Sequence, residues 1–304
     1  MAKKPVKLVC FDIVPEEEKI TKRFNFLKDM KEALDATKDV SGNRARELAE
    51  LAESGEQQLI SKFSVSSDGI FCSFLHLKAG AVSLITNDLF SKPSFSFSDI
   101  KETNEKGIKG HIKGYTCFLL TDKVFIWKST RDITTSEISL YINWLLKKAL
   151  PKYATRNSII SLKQKIKKTF DPLTVKSISI GNDVKIKKES TIETYISPIK
   201  ESLLNAIKES ALRGLDPDAI ILDASVILKI QKPRKTDPDE GRRVIQSVLN
   251  AVKSDDTILT DKNGNQIKEN SVKEAKEVRV TYITDNFLDE AELEHEMQLY
   301  LKEL

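Results

Sequence analysis

Apolar runs paired across tight polar turns constrain the fold of this chain more than any other feature. LISKFSV (59–65) and IFCSFLHLK (70–78) flank SDG (67–69), and GYTCFLL and VFIWKS flank TDK (121–123). This pattern is typical of β-hairpins, in which a short turn joins two antiparallel strands. The N-terminal half is therefore predicted to contain an antiparallel sheet.

Helical patterns around these hairpins complete an α+β unit. VKLVCFDIV (6–14) is predicted to form a first strand, and residues 17–38 and 43–54 are predicted to form two helices. TTSEISLYINWLLKKALP is predicted to form another helix, which begins at a capping box of Thr134 and Glu137 and ends at its closing proline.

The length of 304 residues is sufficient for two domains, and the sequence pattern changes near 151–156. We predict an N-terminal α+β domain of residues 1–153 and a basic C-terminal α+β domain of residues 154–304, which ends in an acidic helix. Each domain is expected to be a mainly antiparallel sheet packed with helices.

The second half alternates between helical and strand-like patterns. Residues 157–172 are predicted to form a helix, because Ile159, Leu162, Ile166 and Phe170 fall on one helical arc. The other predicted elements are, in chain order, a strand in LTVKSISIG, a helix in 197–214, a long strand in 219–231, a helix in 237–252, a hairpin around Asn263-Gly264, a strand in EVRVTYI and an acidic helix in 286–303.

Composition indicates a globular protein in the cytoplasm. Hydrophobic residues make up 40% of the chain and charged residues 31%, and no apolar run approaches the roughly 20 residues of a membrane span. The segment MAKKPVKLVCFDIV is interrupted by Asp12, so we interpret it as a strand rather than a signal sequence. Cys10, Cys72 and Cys117 lie in strand-like runs and are expected to be buried, reduced thiols.

Charge is spread unevenly along the chain, whose net charge is +4. Residues 152–188 contain ten Lys or Arg against two Asp, a local charge of +8. Residues 285–304 contain seven acids against one Lys, a local charge of −6. The basic middle of the chain is thus the first place to look for an acidic partner.

The basic residues of the second half fall into groups that local structure does not require. Lys163, Lys165, Lys167 and Lys168 lie opposite the apolar arc of 157–172, and other groups follow strand-like runs. Two arginines lie in the first turns of a predicted helix, where the helix dipole disfavours cations. The candidate phosphate-binding residues are Lys163, Lys165, Lys167, Lys168, Lys185, Lys187, Lys188, Lys232, Arg234, Lys235, Arg242 and Arg243.

Several such groups in one domain predict contact with a nucleic-acid backbone, with salt-sensitive affinity and weak sequence preference. Aromatic residues in 152–250 are limited to Tyr153, Phe170 and Tyr195, which disfavours a base-stacking platform for single strands. The predicted partner is therefore double-stranded DNA.

Signals for catalysis are weak, so we expect a protein that is not an enzyme and needs no metal, cofactor or small-molecule substrate. The sequence contains no phosphate-binding loop and no nucleophile elbow, and His76, His111 and His295 lack metal-ligand spacing. His76 is expected to be a half-buried structural histidine in a strand.

Two alternatives remain open at this point. Asp216, Asp218 and Asp223 near the long strand leave a metal-dependent nuclease as one alternative. The other is an interaction module whose basic domain docks on an acidic protein or on the acidic tail of the same chain.

The order of these features resembles that of the RexA family, the DNA-binding proteins of lambda-type phage exclusion systems. The segments that carry the resemblance are SFSDIK, RDITTSEISLYI, ILKIQKPRKTDPDEGRRVIQSVL, ILTDKNGNQI and EAELEHEMQLYL. Residues 35–55 depart from the pattern as a helical insertion. The DNA-binding component of the Kiwa defence system is a related possibility.

The resemblance implies a cytosolic, dimeric, non-enzymatic DNA binder of two mobile domains. Such a protein would act in antiphage defence, by phage exclusion or abortive infection, and would signal to a membrane partner. Among the candidate contacts, the run from Lys232 to Lys235 is the segment to which the resemblance assigns a DNA-binding role.

Overall fold

The computed structural model describes residues 3–16, 25–36, 56–78, 96, 112–130, 132–171, 174–180, 226–229, 258–268, 272–283 and 287–304. Within these residues the fold combines antiparallel strands with helices, so the predicted α+β class is confirmed. The chain divides into two compact units, of which unit 1 contains Met1–Leu162 and Ala275–Leu304 and unit 2 contains Lys163–Glu274.

The described elements follow one another in this order: β1 (Lys3–Pro15), α1 (Phe26–Ala36), β2 (Gln57–Val65), β3 (Ile70–Leu77), β4 (Ile112–Leu120), β5 (Val124–Lys128), α2 (Thr135–Ala149), a 3-10 turn (Pro151–Tyr153), β6 (Ile160–Gln164), β7 (Val175–Ile180), β8 (Val226–Lys229), β9 (Ile258–Asp261), β10 (Gln266–Lys268), β11 (Ala275–Thr281) and α3 (Glu290–Glu303). None of the described helices has both the length and the apolar character of a membrane span.

A seven-stranded sheet is formed by the described strands in the order β11-β1-β5-β4-β3-β2, with β6 also paired to β1. Both predicted hairpins are confirmed, since β2 pairs antiparallel with β3 and β4 with β5. In the first turn, the Ser66 hydroxyl accepts hydrogen bonds from the backbone N–H groups of Asp68 and Gly69. A Cβ at Gly69 would overlap the carbonyl oxygen of Leu120, so this turn requires glycine.

Helices cover both faces of this sheet. On one face α1 and α2 pack against the strands, through side chains that include Phe26, Met30, Leu34, Ile138, Tyr141 and Leu145. On the other face α3 contributes Leu293, Met297 and Tyr300 to a second core. All eight residues of β3 are consequently buried, which explains its almost unbroken apolar sequence.

The capping box predicted for α2 is present. The hydroxyl of Thr134 accepts a hydrogen bond from the N–H of Glu137, and the carboxylate of Glu137 accepts one from the N–H of Thr134 at 2.6 Å. Two otherwise unpaired donors at the helix start are thereby satisfied, and the helix ends at Ala149, before Pro151.

Unit 2 contains an antiparallel four-stranded sheet among its described residues, in the order β10-β9-β7-β8. The predicted hairpin around Asn263-Gly264 is confirmed, and Gly264 has a φ of 85° that suits glycine. The predicted strand after residue 172 is also confirmed, as β7. The predicted helices in 43–54, 197–214 and 237–252 lie outside the described residues.

The predicted helix of residues 157–172 is wrong, because this segment forms β6 and its extension. Buried and partly exposed residues alternate from Ile160 to Lys167, which is the period of a strand rather than of a helix. Residues 159, 162, 166 and 170 also fit a helical arc, so the apolar positions alone matched both patterns.

The last strand and the last helix differ from the prediction in their placement. The sequence-based division at 153 and 154 assigned them to the C-terminal domain. In the structure, β11 pairs with β1 from Lys3↔Thr281 to Val9↔Ala275, and α3 packs on the same sheet. Both therefore belong to unit 1, within whose sequence unit 2 is inserted.

Candidate nucleic-acid interface

The lysines at the end of β6 share one face of an extended chain. The inward side chains of this segment are buried: Ile160, Leu162, Gln164 and Ile166. Between and after them, Lys163, Lys165 and Lys167 are partly exposed. Because strand side chains alternate, these three point to the same side at intervals of about 6.6 Å. We call them the lysine row.

The start of β6 is held by one buried amide side chain. Asn143 of α2 donates through Nδ2 to the carbonyl oxygens of Ile160 (2.9 Å) and Ser139 (2.8 Å). Its Oδ1 accepts from the N–H groups of Ile159 (2.6 Å) and Ile160 (3.0 Å). Asn143 is 7% exposed, so these bonds form away from water. The helix therefore fixes where the strand begins.

The far end of the lysine row is fixed by backbone pairing. Ile166 lies opposite Lys273. The N–H of Lys167 donates to the carbonyl oxygen of Val272 at 3.0 Å, and the N–H of Glu274 donates to the carbonyl oxygen of Lys165 at 2.8 Å. The chain then turns, with Lys168 exposed in the turn. Four cations thus lie within six residues of chain whose backbone is held on both sides.

The other predicted contact residues lie outside the described residues: Lys185, Lys187, Lys188, Lys232, Arg234, Lys235, Arg242 and Arg243. The same holds for Asp216, Asp218 and Asp223, on which the nuclease alternative rests. The structure thus brings together Lys163, Lys165, Lys167 and Lys168. It shows them on a strand and a turn instead of on the polar side of a helix.

Most of the glutamates of the acidic helix α3 contact the sheet of unit 1, to which the helix itself belongs. Four of its glutamates contact groups on the sheet: Glu290 contacts Ser73 (2.6 Å) and Lys62 (3.5 Å), Glu292 contacts Lys3, Glu294 contacts Ser64 (2.5 Å) and Glu303 contacts Lys276 (2.5 Å). The hydrogen bond from Lys3 lowers the pKa of Glu292 to about 2. These contacts disfavour the idea that the tail serves as a docking partner for the basic residues.

His76 is a structural histidine, as predicted, but it is fully buried rather than half-buried. It is 1% exposed, with Nε2 3.0 Å from Glu56 and Nδ1 3.7 Å from Glu137. The two carboxylates contact opposite nitrogens of the ring, so they do not converge on one point. Lys113 lies 2.8 Å from Glu56 and lowers the pKa of that carboxyl. Among the described residues, no cluster of His, Cys, Asp or Glu has the geometry of a metal site.

The three cysteines are buried, as expected, and the described residues contain no disulfide. Burial raises the pKa of the Cys117 thiol, which disfavours the reactive thiolate. Burial likewise lowers the pKa of Lys128, whose ammonium group lies 4.4 Å from the ring centroid of Tyr115. These groups are packed within the sheet of unit 1 and present no reactive surface.

Asn143 is the residue of the site that sequence reasoning missed. It stands within the apolar stripe of α2, between Ile142 and Leu145, where a polar side chain is out of place. A buried polar residue needs hydrogen-bond partners, so this interruption was the available signal for a contact with another segment. It did not indicate which segment.

The chain matches no protein-family model and no curated protein.

Proposed function

We propose that this protein binds double-stranded DNA through its phosphate backbone, with weak sequence preference. The observation that carries the proposal is the lysine row, three lysines on one side of a strand that is held at both ends. Lys168 adds a fourth cation at the following turn.

The spacing of the lysine row suits a repeating anionic partner. Successive lysines are about 6.6 Å apart along the strand, and the phosphates of one DNA strand follow one another every 3.4 Å or so along the helix axis. A regular row of cations is complementary to a regular row of phosphates but reads no base edges. Such contacts set position and affinity and leave sequence preference weak.

The remaining candidate cations would extend the same binding role. Lys185, Lys187, Lys188, Arg242 and Arg243 belong to unit 2, as do Lys232, Arg234 and Lys235. We assign them to DNA contact on the strength of their sequence grouping, and their removal is a separate test from that of the lysine row.

The wider role follows from the family resemblance. We propose a non-enzymatic protein of an antiphage system, acting by phage exclusion or abortive infection. It would work as a cytoplasmic homodimer that signals to a membrane partner. We also propose that units 1 and 2 behave as two domains, each a mainly antiparallel sheet packed with helices.

The test is a titration of labelled duplex DNA at increasing salt. Removing two phosphate contacts with Lys163→Ala/Lys167→Ala should reduce the slope of log affinity against log salt by about 1.8, since each contact contributes about 0.9. Lys31→Ala/Lys123→Ala removes two exposed lysines of unit 1 and is the matched control, which should leave the slope unchanged.

Equal slopes for the two double variants would refute the assignment of the lysine row. Absence of binding by the unaltered protein at low salt would refute DNA binding as a whole. In a parallel titration, Lys232→Ala/Arg234→Ala/Lys235→Ala tests the segment that the resemblance assigns to DNA.

A further inference from the structure

The strand β11 is an edge strand in the described part of the sheet, and its hydrogen-bonding direction can be derived. On β1, Lys7 accepts from Ser129 and Ile13 donates to Lys123, so odd-numbered residues of β1 face β5. Even-numbered residues must then face β11, because the peptide groups of a strand alternate in direction. Pro5 agrees with this pattern, since it lacks an N–H and cannot donate to β11.

The peptide groups of β11 alternate in direction in the same way. Its residues that pair with even-numbered residues of β1 are Lys276, Val278 and Val280. The peptide groups of Ala275, Glu277 and Arg279 therefore point away from β1. Among the described residues no strand lies on that side of β11, and the peptide groups of these three residues find no partner there.

One end of this open edge is closed by the residues that lead into α3, where Leu288 pairs antiparallel with Tyr282, and by the first turn of that helix. The carbonyl of Thr281 accepts from the N–H of Asp289 at 2.8 Å, and the N–H of Thr281 donates to Glu292 at 2.6 Å. Glu277 and Arg279 lie within the open part, and both side chains are exposed on the face opposite the buried Val278.

We propose that β11 pairs antiparallel with β11 of a second copy of this chain, about a two-fold axis at Val278. In this register Glu277 lies opposite Arg279 of the partner subunit, and Arg279 lies opposite Glu277 of the partner subunit. Both residues direct their peptide groups outward, so each pair exchanges two hydrogen bonds.

Charge selects this register among the available ones. A shift of two residues in one direction places Glu277 opposite its own copy, and a shift in the other direction places Arg279 opposite its own copy. Opposite charges stabilise a cross-strand pair and like charges destabilise it. Exposed edges are commonly protected by charge, but here the alternation of an acid and a base is self-complementary.

The proposal deepens the dimeric part of the proposed function and gives it an interface. It does not depend on DNA contact, because β11 lies in unit 1 and the lysine row lies in unit 2. A monomeric protein that still shows the slope change at the lysine row would refute this interface and leave DNA binding intact.

Disulfide trapping in the full-length chain tests the register. In a hydrogen-bonded antiparallel pair the Cα atoms are about 5.5 Å apart, within the range that a disulfide spans. Glu277→Cys mixed with Arg279→Cys should therefore form a covalent dimer under mild oxidation, while either variant alone should not. The native cysteines are fully buried and do not compete.

Variants with exchanged charges test whether charge selects this register. Their dimer dissociation constants are measured by sedimentation across a range of protein concentrations. Because of the two-fold symmetry, Glu277→Arg places two pairs of like charges across the interface, and the dimer dissociation constant should rise about tenfold. The swap Glu277→Arg/Arg279→Glu should restore it, and Lys123→Glu, on an exposed turn, should have no effect.

Trapping of either cysteine variant alone, or equal trapping in all mixtures, would overturn the register. A protein that remains monomeric at every concentration would overturn the interface. A dimer unaffected by Glu277→Arg would place the contact elsewhere on the surface.

Discussion

Replacing Asn143 by alanine should loosen the start of β6 and lower the stability of unit 1. The side chain makes four hydrogen bonds, and three of them reach the backbone of Ile159 and Ile160. Those two residues are 0% and 1% exposed, so water cannot replace the lost partner without opening the structure. Asn143→Ala therefore leaves buried peptide groups unpaired.

The magnitude follows from the three lost contacts between segments. A net hydrogen bond contributes about 1 kcal/mol, and a buried group left without a partner costs about 1–3 kcal/mol. Three such groups that relax in part give an expected loss of about 3–5 kcal/mol, a large share of the usual 5–15 kcal/mol of folding free energy. For a domain of 150–250 residues this corresponds to a fall in Tm of roughly 10 °C.

Thermal unfolding followed by circular dichroism measures this change. Leu140→Ala is the matched control, because it removes a larger apolar side chain from the same helix at a position that is 62% exposed. We expect Leu140→Ala to lower Tm only slightly. The variant that loses the smaller side chain, Asn143→Ala, should therefore be the less stable of the two. Hydrogen exchange should also show faster exchange at the amides of residues 159 and 160.

A Tm for Asn143→Ala within a few degrees of that for Leu140→Ala would refute the reasoning. So would unchanged protection at residues 159 and 160, since Asn143→Ala removes the oxygen that accepts hydrogen bonds from their N–H groups.

Three further expectations follow from unit 1 and from the turns. The pKa of Glu292 is lowered to about 2, mainly by the hydrogen bond from Lys3. The ionised carboxylate therefore stabilises the fold above pH 4.5, the ordinary pKa of a glutamate, and this stabilisation is lost as the pH falls toward 2. Lys3→Gln should flatten the curve of unfolding free energy against pH in this range. Gly69→Ala should lower Tm more than Gly264→Ala. The first substitution places a Cβ against the backbone of Leu120. The second meets no neighbouring atom and adds only about 1 kcal/mol of conformational strain at a positive φ. The three buried cysteines should react with a thiol reagent in urea and not in the folded protein, and rapid labelling without denaturant would contradict their burial.

Local elements were predictable from the sequence where chemistry enforces a conformation. The capping box of Thr134 and Glu137 and the Asn263-Gly264 turn each satisfy backbone groups or allow a positive φ within a few residues. Such signals do not depend on the rest of the chain. The two hairpins of the N-terminal half were predictable for a similar reason, because short polar turns separate their apolar runs, and the α+β class followed from the hairpins and the helical patterns.

The segment after residue 157 shows where pattern reasoning fails. Its apolar residues fit a helix and a strand equally well, and the strand was selected by Asn143 and by pairing with other segments. The alternation of Lys163, Lys165 and Lys167 was a period-two signal that favoured the strand.

Long-range pairing could not be derived from the sequence. β1 pairs with β11 across some 270 residues, and the register is set by burial of side chains on both faces of the sheet. No local pattern in β11 identifies β1 as its partner. The insertion of unit 2 within unit 1 was invisible for the same reason.

The change from helix to strand alters what the lysine row can do. On a helix, positions 163 and 165 would be separated by about 200° around the axis and would face different directions. On the strand they face one direction, and Lys163 and Lys167 are about 13 Å apart. Because the backbone is held at both ends, removing one lysine should not move the other. At that separation their effects on binding should add. The salt slopes of Lys163→Ala and Lys167→Ala should therefore each fall by about 0.9 and sum to the change in the double variant. A mobile loop would give no such additivity, because the remaining lysine could take over the lost contact.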